Sequence, residues 1–114
     1  MRPFKRSQIW LVNFDPSFGR EYQKVRPALI VQSDEYIEAS SLVTVVPISS
    51  RISKHTPLDV LIEKDEDNRL AKDSLAKIKQ VSSFDKRLFI KYVGTVKTEL
   101  MKSIDENLRN YLQL

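Results

Sequence analysis

Arg26 and Ser49 are the principal residues with which this chain could handle a phosphate. Arg26 closes a polar connection containing Asp15, Pro16, Gly19, Arg20, Glu21, Tyr22 and Lys24, and stands directly before Pro27. A proline holds the residue before it in an extended conformation, so this guanidinium is anchored to strand rather than to a loop tip. It is permanently cationic and can clamp phosphate oxygens with two donors. It can equally pair with a surface carboxylate such as Glu21. Ser49 follows the apolar run Leu42 to Ile48, and its hydroxyl can donate to the same oxygens or bond backbone at the strand end. Lys77, Lys79 and Arg20 add cations, either as phosphate clamps or as a solvated face.

Much of the usual catalytic equipment is missing. The sequence holds no phosphate-cradling glycine loop, no HExxH and no cysteine, so thiolate and disulfide chemistry are excluded. Its one histidine, His55, lies in the polar stretch RISKHTP and rules out a two-histidine acid–base pair. Any nucleic-acid chemistry must therefore use Arg, Lys, Ser, Thr or carboxylates. RNA permits that economy because its 2′-hydroxyl is a built-in nucleophile. Cleavage then needs positive charge on the phosphorane oxygens, in-line geometry and a proton for the leaving 5′-oxygen. No metal or other cofactor is expected.

A net charge of +4 favours polyanionic partners, or simply solubility. The acidic run Glu63 to Asp67 pushes the positive excess to the N-terminus, the first loop and Lys72 to Lys91. No apolar run approaches membrane-spanning length, and no hydrophobic signal core follows Arg2, Lys5 and Arg6. A single domain over 1–114, cytoplasmic and without a membrane partner, is the expectation.

The elements that must position these residues are short. Ile9 to Phe14 and Pro27 to Val31 read as strands, and the β-branched run Leu42 to Ile48 as a buried central one. Pro47 predicts a strand end or bulge, placing Ser49 and Ser50 on the rim. Leu58 to Ile62 alternates as a half-exposed strand, and Asp65 to Asn68 forms a turn. Ser74 to Val81 alternates as a strand displaying Lys77, Lys79 and Gln80. Asp85 to Leu88 predicts a short turn and Phe89 to Thr95 the last strand. From Lys97 or Thr98 the period becomes helical, with Leu100, Met101, Ile104, Leu108, Tyr111 and Leu112 on one stripe. Trp10 and Phe14 share a core-facing strand face. Phe18 and Tyr22 sit in the first loop, free to stack unpaired bases or to pack down as a lid. Mainly β structure with α additions follows: a small, curled antiparallel sheet or barrel with a C-terminal amphipathic helix.

The same residues carry a family resemblance. WLVNFDPSFGREYQKVRPALIVQSD followed by TVVPISS resembles the MazF/PemK/Kid family of toxin endoribonucleases from toxin–antitoxin pairs. The family opens with a strand, a D-P-x-x-G-x-E-Q loop, R-P, a strand and, after a gap, V-P-I-[ST]-S. Asp15, Pro16, Gly19, Glu21, Arg26, Pro27, Val46, Pro47, Ile48, Ser49 and Ser50 match, and the similarity runs from about Ser7 to the C-terminus. The resemblance implies an SH3-like barrel with helical additions, a homodimer, and a metal-independent, sequence-selective endoribonuclease acting on single-stranded RNA. Its products would be a 2′,3′-cyclic phosphate and a 5′-hydroxyl, and an acidic antitoxin would neutralise it. Arg26 and Ser49 fall at the catalytic positions. Gly19, Arg20, Glu21, Tyr22, Lys24, Ser50, Lys77, Lys79 and Gln80 would contact RNA.

Several positions depart from the family pattern. Tyr22 and Lys24 replace Gln and Gly, making the loop stiffer and more basic. Arg20 stands where some members have a catalytic histidine. Lys77, Lys79 and Gln80 occupy the place of an Arg-x-Asp pair before a Gln, so the carboxylate base is absent and a scheme centred on Arg26 and Ser49 remains. Two other readings share the barrel. One is a non-enzymatic relative of the CcdB-type gyrase poisons, acting through C-terminal helix residues. The other is a plain SH3-like module binding RNA or protein.

Overall fold

Successive side chains on a strand point to opposite faces, and this chain buries both faces of its sheet. The computed structural model describes residues 3–14 and 25–114. In chain order it forms strands β1 (Gln8–Asn13), β2 (Val25–Ile30), β3 (Leu42–Ser49), β4 (Val60–Ile62), β5 (Ser74–Ala76), β6 (Ser82–Asp85) and β7 (Phe89–Thr95), then helix α1 (Thr98–Leu112). The sheet runs β4-β5-β3-β2-β1-β7, with β6 also on β3, and every pairing is antiparallel. The strands curl round the core, but no ladder joins β4 to β7. The expected barrel is therefore an open, curled sheet.

Ile9, Leu29, Val46 and Ile48 look to one side, where β4, β5 and the Met101 and Ile104 face of α1 cover them. Trp10, Val12, Ala28, Ile30, Val43 and Val45 look to the other. There Phe4 packs on Trp10 with ring centroids 4.6 Å apart, and Phe14 on Phe84 at 4.8 Å. Trp10 and Phe14 thus belong to the core as expected.

Two elements differ from the sequence reading, and for one reason. Along one edge of β3, two strands pair in succession: β6 with Leu42 to Val45, then β5 with Ile48 and Ser49. An unbroken register from Ile48↔Ala76 would bring Lys79 opposite Val45, but Ser82 stands there. The surplus residues form a 3₁₀ turn, Ile78–Gln80. The segment Ser74 to Val81 is therefore strand only to Ala76, and Lys77, Lys79 and Gln80 do not share a strand face. Its alternation was coincidental, because Ile78 is buried from a turn. Strand β6, for which the sequence reading has no strand and only a turn from Asp85, carries a single apolar residue in SSFD and pairs through its backbone. Pro47 remains inside β3, opposite Ala28 and at the break between the two ladders. That break is the irregularity a residue without an N–H calls for.

The turn from Asp65 to Asn68 is plugged by the Asn68 side chain, which is 2% exposed. Its amide donates to the Glu63 carbonyl, and its oxygen accepts from the Asp65 and Leu70 N–H groups. The turn presses on β7 at Gly94, where a Cβ would lie 2.4 Å from the Asn68 carbonyl oxygen, so only glycine fits. Among the described residues no helix is long and apolar enough to cross a membrane.

Candidate active site

Strand register brings the two principal candidates together. Ala28 pairs with Pro47, and continuing the same register by two residues sets Arg26 opposite Ser49. Both line a cleft of about 470 Å³ where β2 begins and β3 ends. Ser50 and Arg51 extend its wall from the end of β3, and Leu70 to Lys72 form the facing side. The Asn68 plug, through its bond to the Leu70 N–H, fixes where that facing segment starts.

Among the described residues the cleft's charge is of one sign. Arg26, Arg51 and Lys72 line it, all exposed, and among the described residues no carboxylate does. No hydrogen bond or ion pair engages the Arg26 guanidinium among the described residues. The suggested partner Glu21 lies outside them. Half-buried Ser49 accepts a hydrogen bond from the Arg51 backbone N–H at 3.2 Å. This is the backbone bonding its type suggested, with the hydroxyl as acceptor. An oxygen held that way still has its own hydrogen to give.

The remaining candidates scatter. Gly19, Arg20, Glu21, Tyr22 and Lys24 lie outside the described residues, as do Asp15, Pro16 and Phe18. Ser50 joins the cleft, but Lys77, Lys79 and Gln80 do not line it. Lys79 and Gln80 are exposed on the 3₁₀ turn. Lys77 points its ammonium at Asp59, Nζ to Oδ2 2.7 Å, with the two side chains 16% and 2% exposed. Burial pushes the Asp59 carboxyl up, yet hydrogen bonds from Lys77 and Thr56 outweigh it and hold the group below the usual carboxylate range. His55 is exposed, with Nε2 3.2 Å from the Asp59 carbonyl.

Sequence reasoning missed Arg51 and Lys72. Arg51 follows the Ser49-Ser50 pair directly, so its position was a usable signal. Lys72 reaches the cleft only through the turn at Asn68, and nothing local announces it. No group of three or more His, Cys, Asp or Glu side chains that could hold a metal occurs among the described residues.

Fold and cleft together define a small curled-sheet protein with a cleft lined by Arg26, Arg51 and Lys72 at adjacent strand ends. The chain belongs to the family described as PemK-like, MazF-like toxin of type II toxin–antitoxin system, whose profile matches residues 5–112. It is 30% identical over 115 residues to Endoribonuclease MazF9 of Mycobacterium tuberculosis (strain ATCC 25618 / H37Rv), covering 96% of this chain and 97% of the relative. MazF from Deinococcus radiodurans shares the fold with a TM-score of 0.81 at 19% identity, with both chains covered completely. An endoribonuclease in complex with its cognate antitoxin, from a mycobacterial species, gives 0.75 at 20% identity over 100% of this chain and 97% of that one. The membership that the R-P and V-P-I-S-S motifs implied is thereby met.

Proposed function

We propose that this toxin-family endoribonuclease cuts single-stranded messenger RNA, sequence-selectively and without a metal ion, by attack of a 2′-hydroxyl on the adjacent phosphorus. The observation that carries the reading is the Arg26 guanidinium, without a partner among the described residues, sharing with Ser49 a cleft that Arg51 and Lys72 also line. As the 2′-oxygen adds, negative charge grows on the phosphorane oxygens. Arg26 meets it with two donors and Ser49 with its hydroxyl, both aimed where charge develops rather than where it begins. Arg51 and Lys72 neutralise flanking phosphates. Ser50, Gly19, Arg20, Glu21, Tyr22 and Lys24 keep the RNA-contacting role that the family motif implies for them, with Tyr22 offering a ring for an unpaired base. The bond to the 5′-oxygen breaks and the 2′,3′-cyclic phosphate forms.

Purified protein should cut mixed RNA oligonucleotides in EDTA, leaving 2′,3′-cyclic phosphate (or its 3′-phosphate hydrolysis product) and 5′-hydroxyl ends. Strict dependence on Mg²⁺ would overturn the scheme.

The same reading includes control and assembly. A cationic cleft built for phosphates suits an acidic segment of an antitoxin, which would compete with RNA over Arg26 and the loop from Asp15 to Val25. The solved complex of a related endoribonuclease with its cognate antitoxin supports such a partner. The toxin works in the cytoplasm as a homodimer, and the exposed apolar residues Tyr111, Leu112 and Leu114 at and just beyond the end of α1 support the pairing. Light scattering at micromolar concentration should give twice the chain mass, and a monomeric mass would remove the dimer from the reading.

A further inference from the structure

Residues 50–59 connect β3 to β4 and carry Arg51 into the cleft. Most of the bonds inside this connection are local: Ile52 N–H to the Ser50 carbonyl, Lys54 N–H to the Arg51 carbonyl, Asp59 N–H to the Thr56 carbonyl. Its tie to the neighbouring β5–β6 segment runs through Lys77. The Lys77 backbone N–H donates to the Pro47 carbonyl at 2.9 Å, fixing the residue to β3 two positions before Ser49. From that anchor the ammonium reaches Asp59 Oδ2 at 2.7 Å and the Lys54 carbonyl at 3.5 Å. Asp59 Oδ2 also accepts the Thr56 N–H at 2.9 Å. Residues 54, 56 and 59 thus converge on one buried ion pair held against β3. A continuous line of bonds then leads to the cleft, from Lys77 to Lys54, from Lys54 N–H to the Arg51 carbonyl, and from Arg51 N–H to Ser49 Oγ.

We propose that Lys77 and Asp59 form a positioning latch, which sets where the β3–β4 connection holds Arg51 and orients the Ser49 hydroxyl, and that Lys77 does not touch RNA. The proposal rests on the Arg26–Ser49 cleft being the cleavage site. Lys77 spends donors on Asp59 and Lys54 and lies outside the cleft lining, so its charge is already used. An ion pair this buried has a single good geometry, which suits it to fix a loop. Misplacement of a substrate-gripping group by about 1 Å can cost about 100-fold in rate.

Removing one partner strands a charge, so Asp59→Asn and Lys77→Met are compared with the double variant, which strands none. The readout is kcat/KM for RNA cleavage by purified full-length protein, each variant checked for cooperative melting. Asp59→Asn, Lys77→Met and the double should all fall by about 10- to 100-fold. Arg51→Ala should cost several-fold in the wild-type background and nothing further in the double variant. A direct phosphate contact by Lys77 would give another pattern, with Lys77→Met impaired while Asp59→Asn, its ammonium released, cuts as well as wild type or better. That result overturns the latch. So does an Arg51→Ala cost that is equal in both backgrounds, which would leave the pair a purely structural brace. An Arg51→Ala substitution silent in wild type would instead count against the cleft itself.

Discussion

RNA carrying a single 2′-deoxynucleotide on the 5′ side of the scissile bond will stay uncut, while the all-ribose strand is cleaved. In the proposed chemistry the nucleophile belongs to the substrate, and the protein supplies charge and alignment. A tethered, aligned nucleophile is worth an effective concentration of about 10⁵–10⁸ M, so removing it leaves no measurable route. Binding should change little, because the scheme assigns Arg26, Arg51 and Lys72 to phosphates rather than to the ribose hydroxyl. Gel analysis of end-labelled oligonucleotides, with the deoxy strand also tried as a competitor, separates lost chemistry from lost affinity. Cutting of the deoxy strand would mean that water attacks, and the scheme would fall.

Arg26→Ala should cost about 100- to 1000-fold in kcat, roughly 3–4 kcal/mol, the usual loss on deleting one donor to a developing oxyanion. Its side chain is exposed and carries no ion pair among the described residues. Surface substitutions of that kind typically shift stability by about 0.5 kcal/mol or less, so melting should be nearly unchanged. Arg26→Lys should fall in between, since it keeps the charge and loses the two-pronged grip. Ser49→Ala should cost less than Arg26→Ala, its hydroxyl giving one donor beside a guanidinium. The paired measurement of kcat and thermal midpoint checks all three. An Arg26→Ala protein that melts normally and cuts at wild-type rate refutes the assignment.

How far the sequence could be read follows from the range of the interactions involved. The β-branched run from Val43 to Ile48 and the helical stripe from Leu100 to Leu108 encode their burial locally, and both elements stand where their patterns put them. Strand β6 does not, because an edge strand with one apolar residue is defined by its neighbour's backbone. The motifs pointed to Arg26 and Ser49 one at a time. Their placement opposite each other is a matter of register between β2 and β3, which no local pattern records. Lys77 was legible as a cation and illegible as a paired one, since its partner Asp59 is 18 residues away in sequence.

The doubly paired edge of β3 turns the segment from Ile78 to Gln80 into a spacer of fixed length. It takes up the difference between two registers, one fixed by Ile48↔Ala76 and the other by Val45↔Ser82. Shortening it by one residue would slip β6 by one position and exchange its two faces. Phe84 would then leave Phe14, which it meets at 4.8 Å, and turn toward solvent. The exposed Lys79 and Gln80 can vary in chemical character as long as the residue count holds. Within this spacer the number of residues, together with the buried Ile78 side chain, sets which face of β6 meets the core.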